Sequence, residues 1–233
     1  IIQVDNHDDG AYDVQFFEGE FPKILTTGGD RMIRICDLNG NLERTIPTGH
    51  SARVESLVIY KGNQFGGKAV VITGSLDGCS CVFDFDSGNT IHILSGHVGA
   101  VSSMAISSNY SDRPLLYTGG FDFTIRIWCI TSGVNIRTIT ILQEFVTTLT
   151  ICEDCRYPFI ASGGSDKLIL IWSLQSFKIL SMLSGHTSTI SSLVVTPDSS
   201  THNLPHDFQR KLVSGSRSEE RRVGKECLRL CRS

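Results

Sequence analysis

Residues Thr118 to Trp128 read TGGFDFTIRIW, and the same pattern occurs at four places along the chain. Each copy runs from an Asp to a bulky or sulfur-bearing residue six positions later, as DRMIRIC from Asp30, DGCSCVF from Asp77, DFTIRIW from Asp122 and DKLILIW from Asp166. The four Asp residues are 47, 45 and 44 positions apart. A fixed period of this length indicates that one structural unit is repeated along the chain.

Two further features recur at fixed places in the unit. A hydroxyl residue stands four positions before each Asp and is followed closely by Gly; these residues are Thr26, Thr73, Thr118 and Ser162. A Gly-His pair stands upstream of three units, at residues 49–50, 96–97 and 185–186. Their joint occurrence is a much stronger signal than any single dipeptide.

The local pattern of each unit predicts β-strands. Short runs such as RVESLVIY, AVVITGS, CSCVFDF and NTIHIL are continuous or alternating in apolar residues and are separated by Gly, Asn, Asp or Ser. Turn signals fall where these strands would end, and no ten-residue stretch has a convincing helical period. The sequence therefore predicts an all-β fold with four strands in each unit.

The Gly-His pairs, the Ser/Thr-Gly-Gly/Ser-x-Asp runs and IRIW resemble the WD40 repeat family, over residues 6–216. The resemblance implies a β-propeller with about five blades present, at approximately 6–46, 47–94, 95–139, 140–183 and a truncated 184–216. Propellers close into rings of about four to eight blades. We therefore expect an incomplete ring and a fragment of a parent with about seven blades.

Residues 217–233 break the pattern. After KLVSGS an Asp is expected at position 218, where the chain has Ser218. The run RSEERRVGKEC matches the in-frame translation of a common sequencing adapter, so we expect 217–233 to be a non-native tail. A natural basic amphipathic terminus is the alternative.

The resemblance assigns the recurring polar residues to a buried hydrogen-bond network. The residues carried over by position are His50, Thr73 and Asp77; His97, Thr118, Asp122 and Trp128; Ser162, Asp166 and Trp172; and His186 and Ser214. Only the third copy has the full set. Phe83 and Cys36 replace Trp in two copies, Leu142 stands where one His belongs, and His7 is a doubtful match in the first copy.

A His, a hydroxyl and an Asp that recur together in the repeat also suggest a hydrolase triad. We reject this interpretation because a triad needs one exposed nucleophile beside one oxyanion hole, whereas this set recurs in several units. We expect no enzymatic activity and no cofactor. CEDC at residues 152–155 and the two His of HNLPHD at 202–207 are weak metal candidates, and we expect no metal site.

Charge and cysteine content exclude other classes. The tail carries six Lys/Arg and three Glu, which leaves 15 basic and 21 acidic residues, a net charge of -6, in residues 1–216. Nucleic-acid binding needs clustered Lys and Arg, so it is disfavoured. No apolar run is long enough to span a bilayer. The cysteines lack framework spacing, which favours a reducing cytoplasmic or nuclear location, and the oligomeric state stays open.

By resemblance, such propellers hold other proteins or peptides on the face that carries these motifs. The residues predicted to contact a partner are Arg31, Arg53, Leu76, Phe121, Phe145 and Lys167. We further predict one mixed apolar and basic patch of Arg53, Leu76, Phe121 and Phe145, because aromatic residues and Arg dominate interface energetics. The alternative for each is packing against its own neighbouring loop.

Three function classes follow. The first is a non-catalytic protein-interaction scaffold. The second is a substrate-recognition subunit of a ubiquitin ligase that reads phosphorylated or acidic peptides through basic residues. The third is a regulatory propeller fused to a kinase or to a nucleotide-dependent signalling enzyme.

Overall fold

The structure is a computed structural model, and it describes residues 7–19, 21–107, 113–140, 144–153, 157–196 and 212–217. One short 3-10 helix, Asn63–Phe65, lies in this described part, and otherwise it is built of strands and turns. The strands are β1 (Ala11–Phe17), β2 (Lys23–Gly28), β3 (Met32–Cys36), β4 (Leu42–Pro47), β5 (Val54–Lys61), β6 (Ala69–Ser75), β7 (Cys79–Asp84), β8 (Thr90–Ser95), β9 (Val101–Ser107), β10 (Leu115–Gly120), β11 (Thr124–Cys129), β12 (Val134–Thr140), β13 (Val146–Cys152), β14 (Phe159–Gly164), β15 (Ile169–Ser173), β16 (Ile179–Leu183), β17 (Ile190–Val195) and β18 (Leu212–Ser216).

The strands form antiparallel sheets in which neighbours in sequence are neighbours in space. Blade 1 is β1 to β4, blade 2 is β5 to β8, blade 3 is β9 to β12 and blade 4 is β13 to β16. Blade 5 has β17 and β18 among the described residues. The predicted all-β fold is confirmed, and blades 1 to 4 have the four strands expected in each unit.

The first strand of each blade contacts the first strand of the next blade. Contacts run from β1 to β5, from β5 to β9, from β9 to β13 and from β13 to β17. No comparable packing joins β17 back to β1 within the described ranges. The blades therefore form an arc with β1, β5, β9, β13 and β17 along its inner side.

The hydrophobic core lies between consecutive blades. Residues alternate between the two faces of a strand, so a middle strand can contribute to two cores. In β14, for example, Ile160 packs in the core shared by blades 3 and 4, while Phe159 and Ala161 pack in the core shared by blades 4 and 5. Each blade is thus covered by its neighbours.

Hydrogen bonds also join the inner strands of blades 3, 4 and 5. Each inner strand has a bulge at its second residue. The bulged Ser102 donates to the carbonyl of Val146 in the next blade, and the bulged Thr147 donates to that of Ile190. Because these side chains reach across the blade boundary, they fix the relative height of adjacent inner strands.

In the part of the chain that the structure covers, we find no helix of sufficient length and apolar character to cross a membrane.

Candidate partner-binding face

The turn between the second and third strands has the same design in blades 1 to 4. The Asp of each unit stands in this turn, and its carboxylate accepts the backbone N–H two residues later. The four distances are 3.2 Å (Met32 to Asp30), 2.9 Å (Cys79 to Asp77), 3.2 Å (Thr124 to Asp122) and 3.0 Å (Leu168 to Asp166). The Asp is therefore selected by the turn itself.

The residue after each Asp adopts the left-handed conformation. Gly78 has φ of 81°, which costs glycine nothing, but Arg31 and Phe123 have φ of 64° and Lys167 has φ of 68°. A residue with a Cβ loses roughly 1 kcal/mol or more in this region. Three of the four turns therefore carry strain that a glycine would relieve.

Each of these turns meets the segment that leads into the inner strand of the same blade. The backbone N–H of Leu76 donates to the carbonyl of Arg53 over 3.0 Å, and that of Phe121 donates to Ala100 over 2.9 Å. Ser165 donates to Phe145 in the same way over 3.2 Å. We call the surface formed by these turns and lead-in segments the loop face.

Blade 3 contains the complete polar set. His97 Nδ1 lies 2.9 Å and 3.0 Å from the two carboxylate oxygens of Asp122, and Nε2 lies 2.7 Å from Thr118 Oγ1. Trp128 Nε1 donates to the same hydroxyl over 2.9 Å. If His97 is neutral and carries its proton on Nδ1, every bond in this network has one donor and one acceptor: His97 donates to Asp122, Thr118 donates to His97, and Trp128 donates to Thr118.

Blades 1 and 2 have the same set without Trp. His50 lies 3.0 Å from Asp77 and 2.9 Å from Thr73. His7, a doubtful match by sequence because Asn6 replaces the usual Gly, lies 2.6 Å from Asp30 and 3.0 Å from Thr26. The geometry places His7 in the set of blade 1.

Blades 4 and 5 have partial sets. Trp172 Nε1 donates to Ser162 over 3.0 Å, and His186 Nε2 lies 2.7 Å from Ser214. Within the described ranges Asp166 has no imidazole beside it, and Leu142 and Ser218, which replace the expected His and Asp, lie outside these ranges.

The environment of blade 3 keeps the His97 and Asp122 pair in a defined ionisation state. Burial lowers the pKa of His97 below its ordinary value, although the Asp122 carboxylate works against this shift. Burial pushes the pKa of Asp122 upward, but the hydrogen bonds from His97 and Thr124 outweigh it, so the Asp122 pKa is lowered. Near neutral pH the pair is thus an uncharged imidazole and a carboxylate.

This arrangement is suited to stability and not to nucleophilic chemistry. Thr118 is fully buried and its hydroxyl is already engaged by both His97 and Trp128. A substrate could not reach this oxygen without opening the blade. Among the described residues no group of His, Cys, Asp and Glu has a geometry that could hold a metal ion. HNLPHD lies outside the described ranges, and so do Asp154 and Cys155 of CEDC.

Cys129 stands at the position that Asp37 occupies directly after β3 in blade 1 and that Asp84 occupies at the end of β7 in blade 2. Asp84 accepts the N–H of Ser87 over 2.7 Å and so closes the following turn. Cys129 Sγ lies 3.1 Å from Thr131 Oγ1 in the corresponding turn of blade 3. Burial raises the pKa of this thiol, but hydrogen bonds from Ser132 and Thr131 outweigh it and lower the pKa to about 7. The side chain is buried, which suits a turn cap better than a reactive thiol.

The predicted partner residues divide into two groups on the loop face. Phe121 of blade 3 and Phe145 of blade 4 are in contact across the blade boundary, with ring centroids 4.7 Å apart. Phe123, which the predicted patch did not include, stacks on Phe145 at 5.4 Å. The three rings, hereafter the Phe trio, are 37%, 39% and 41% exposed for Phe121, Phe145 and Phe123.

The basic half of the predicted patch has other contacts. Arg53 is paired with Glu55 and lies over the ring of Tyr12, 4.9 Å from its centroid. The side chain of Leu76 is exposed, and its backbone N–H holds it beside Arg53. No contact among the described residues joins Leu76 or Arg53 to the Phe trio. Arg31 and Lys167 are exposed on the turns of blades 1 and 4.

Comparison with known proteins assigns the repeat. The family model described as "WD domain, G-beta repeat" matches residues 88–129, 136–173 and 177–220. The chain belongs to the WD40 repeat family. The expectation from Gly-His, Asp and IRIW is therefore confirmed.

Several curated proteins are similar over most of this chain. The small ribosomal subunit protein RACK1 of Caenorhabditis elegans is 26% identical over 70% of this chain and 63% of its own length. The nuclear distribution protein nudF of Aspergillus niger is 28% identical over 81% of this chain and 41% of its own. Mitogen-activated protein kinase kinase kinase A of Dictyostelium discoideum is 26% identical over 79% of this chain and 19% of its own. The chain thus spans between a fifth and two thirds of these relatives.

A solved structure shows the same fold. The crystal structure of the computationally designed Ika8 protein superposes with a TM-score of 0.68 at 25% identity and covers 92% of this chain and 58% of its own. The β-propeller architecture predicted for the chain is confirmed.

Proposed function

We propose that this WD40 chain is a non-catalytic scaffold that binds partner proteins or peptides on the loop face. The observation that carries the proposal is the Phe trio, which is exposed on turns that a repeated polar frame holds in place. Aromatic side chains contribute most of the binding energy in many interfaces. Because the frame fixes the turns before binding, a partner loses little free energy in ordering them.

The predicted partner residues contribute unequally to binding in this proposal. Phe121 and Phe145 form the centre of the surface, because they are apolar, adjacent and exposed. Arg31, Leu76 and Lys167 are rim positions. Arg53 contributes less, since its guanidinium is already paired with Glu55. Rim charges influence association rate more than affinity.

The relatives support a binding role without naming the partner. They share the repeats with this chain but extend well beyond it, so their individual activities do not transfer. The kinase kinase kinase relative supports the third function class, a regulatory propeller attached to a kinase, because the match occupies only 19% of that protein. Under both the scaffold proposal and the kinase-linked alternative, the blades described here bind a partner and do not catalyse a reaction.

The ubiquitin-ligase alternative has weaker support. Reading a phosphorylated peptide requires several cations at one place. Arg31 lies in blade 1, Lys167 in blade 4, and Arg53 is paired with Glu55. We therefore favour a partner that is not phosphorylated. A cytoplasmic or nuclear location, without nucleic-acid or membrane binding, belongs to the same proposal and rests on the acidic composition and the cysteine pattern.

Site-specific photo-crosslinking in cell extract tests the scaffold role. A photoreactive residue at position 121 or 145 should give the same cross-linked proteins, and these should be lost when the other Phe is changed to Ser. The matched control is a photoreactive residue at Ile136, an exposed position on the outer strand β12. Equal yields of the same proteins from all three positions would contradict the proposal.

A further inference from the structure

The Phe trio has the geometry of a binding surface and not of a small core. Phe145 is the middle ring and contacts both Phe121 and Phe123. Each ring nevertheless stays more than a third exposed, and Val98, which follows His97 on the same face, is 92% exposed. Rings that only filled space between blades would be buried as the core of blades 3 and 4 is. The outer ring faces are therefore available for an apolar group of a partner.

The backbone of Phe123 strengthens this interpretation. Its φ of 64° corresponds to the position that Gly78 occupies in blade 2. A bulky residue in this conformation is a strained outlier, and such outliers concentrate at functional sites. Glycine would form the turn at lower cost. Folding alone does not account for an exposed aromatic residue at this position.

The charge beside the Phe trio defines a second property of the partner. Glu144, Phe145 and Asp166 line one recess of about 10 Å³. Ser165 donates to Glu144 Oε2 over 2.6 Å, which orients the half-buried Glu144 carboxylate. No basic residue is among the described residues that line the recess. Lys167 is the basic residue of the adjoining turn, and it is exposed.

We infer that the Phe trio and the neighbouring carboxylates of Glu144 and Asp166 bind a peptide segment that has a bulky apolar side chain next to a lysine or arginine. The apolar side chain lies on the rings, and the cation meets the two carboxylates. A Lys or Arg stem can also cover an aromatic face while its charge stays at the rim. The inference rests on the proposed function and specifies the partner that the loop face selects.

Selection of a random twelve-residue peptide library on the full chain identifies the partner chemistry. We expect the enriched peptides to contain an apolar residue adjacent to Lys or Arg. A peptide from this pool and its version with Ala in place of the cation then serve as probes. Enrichment of acidic or phosphorylated-mimic sequences would overturn the inference and favour the ligase alternative.

Glu144→Gln separates charge from shape at this site. The Gln side chain keeps an acceptor for Ser165, so folding should not change. We expect about tenfold weaker binding of the basic peptide, corresponding to 1.4 kcal/mol, and no change for its Ala version. An equal effect on both peptides would overturn the role of the carboxylate.

Phe123→Gly separates binding from stability. We expect a higher melting temperature, because the strain is relieved, together with at least tenfold weaker binding of the peptide. Phe123→Ala is the companion variant, because it removes the same ring but keeps the Cβ that strains the turn. It should weaken binding without raising the melting temperature. A lower melting temperature of Phe123→Gly, or unchanged binding, would overturn the inference.

The outcomes also separate this inference from the scaffold proposal. Peptides that bind the loop face but are insensitive to both variants would leave the scaffold function standing and reject this partner class. A selection without any binder to the chain would count against both.

Discussion

At the scale of single residues, we expect the polar set of blade 3 to contribute more to the free energy of unfolding than any other group of side chains described above. His97→Ala removes the imidazole that bonds both the buried Thr118 hydroxyl and the Asp122 carboxylate, so the Thr118 hydroxyl loses its acceptor and Asp122 loses one of its donors. A buried network that loses one member costs about 2 to 4 kcal/mol of the free energy of unfolding. Urea unfolding should show this loss, while Val98→Ala, on the exposed neighbour, should change stability by less than about 0.5 kcal/mol. Equal effects of the two substitutions would refute a structural role for the set.

The same residue predicts a pH dependence. Because burial lowers the pKa of His97 in the folded chain, the unfolded chain takes up a proton first as the pH falls below about 6.5. The folded chain should therefore lose stability between about pH 7.5 and pH 5.5, and His97→Gln should lose less over that interval. The comparison isolates His97 from other groups such as Asp13, whose pKa is raised by burial. A wild-type urea midpoint that rises on acidification would contradict the assignment.

The strained turns give a prediction of opposite sign. Arg31→Gly and Lys167→Gly should each raise the free energy of unfolding by about 0.5 to 1 kcal/mol, because glycine adopts the left-handed conformation without a Cβ penalty. The converse substitution, Gly78→Ala, should destabilise by about 1 kcal/mol or more, since its Cβ would also lie 2.7 Å from the His97 carbonyl oxygen. Thermal unfolding of the three variants measures this. Destabilisation by the glycine substitutions would show that these side chains pack more favourably than their exposure indicates.

At the scale of elements, the side chain of the third residue of an inner strand can accept a hydrogen bond from the next inner strand, in addition to the bonds that the bulged Ser102 and Thr147 donate. Ser103 Oγ accepts the N–H of Leu149 over 2.9 Å, and Asp13 Oδ2 accepts that of Leu57 over 2.7 Å. Ser56 occupies the same position in blade 2, but its buried hydroxyl has no hydrogen-bond partner among the described residues. The three residues therefore form a natural comparison at one position of the repeat.

This comparison gives a matched pair of variants. Ser103→Ala should destabilise by about 1 to 2 kcal/mol, because it leaves the N–H of Leu149 unsatisfied at the blade boundary. Ser56→Ala should be close to neutral or slightly stabilising, because it removes a buried hydroxyl that is not satisfied. Urea unfolding distinguishes them. Equal losses for the two variants would mean that the bond between blades contributes nothing.

The strands and the polar sets could be predicted because they depend on local spacing. The repeated Asp fixes each turn through its own neighbour two residues later, and the period of about 45 residues fixes the unit. The position of His7 could not be predicted with the same ease, because Asn6 replaces the Gly of the motif. Its contacts with Thr26 and Asp30 depend on the folded path of the chain.

The loop-face surface was only partly predictable. The contact of Phe121 with Phe145 follows from their positions on adjacent blades. The pairing of Arg53 with Glu55, in contrast, involves the bulged residue of β5, and a bulge is not visible in the sequence pattern. The part played by Phe123 depends on a left-handed backbone, which is not evident from a sequence without glycine at that position. Sequence patterns indicate regular strands, but they do not show where the backbone has a bulge or a left-handed residue.

At the scale of the whole molecule, the residues that make the fold rigid are different from the residues that we propose bind a partner. The cores between blades and the polar sets hold the frame, and the exposed rings lie on the turns at one face. This separation allows the turns to vary in sequence without loss of the fold. We therefore expect partner specificity to change with the turn residues and stability to change with the sets beneath them.

Amide hydrogen exchange of the full chain, with and without the tightest library peptide, tests the central claim most directly. We predict that the peptide slows exchange in residues 119–124 and 144–148 and leaves the outer strands β8, β12 and β16 unchanged. Protection centred on the outer strands, or no change anywhere in the chain, would contradict the assignment of the loop face as the binding surface.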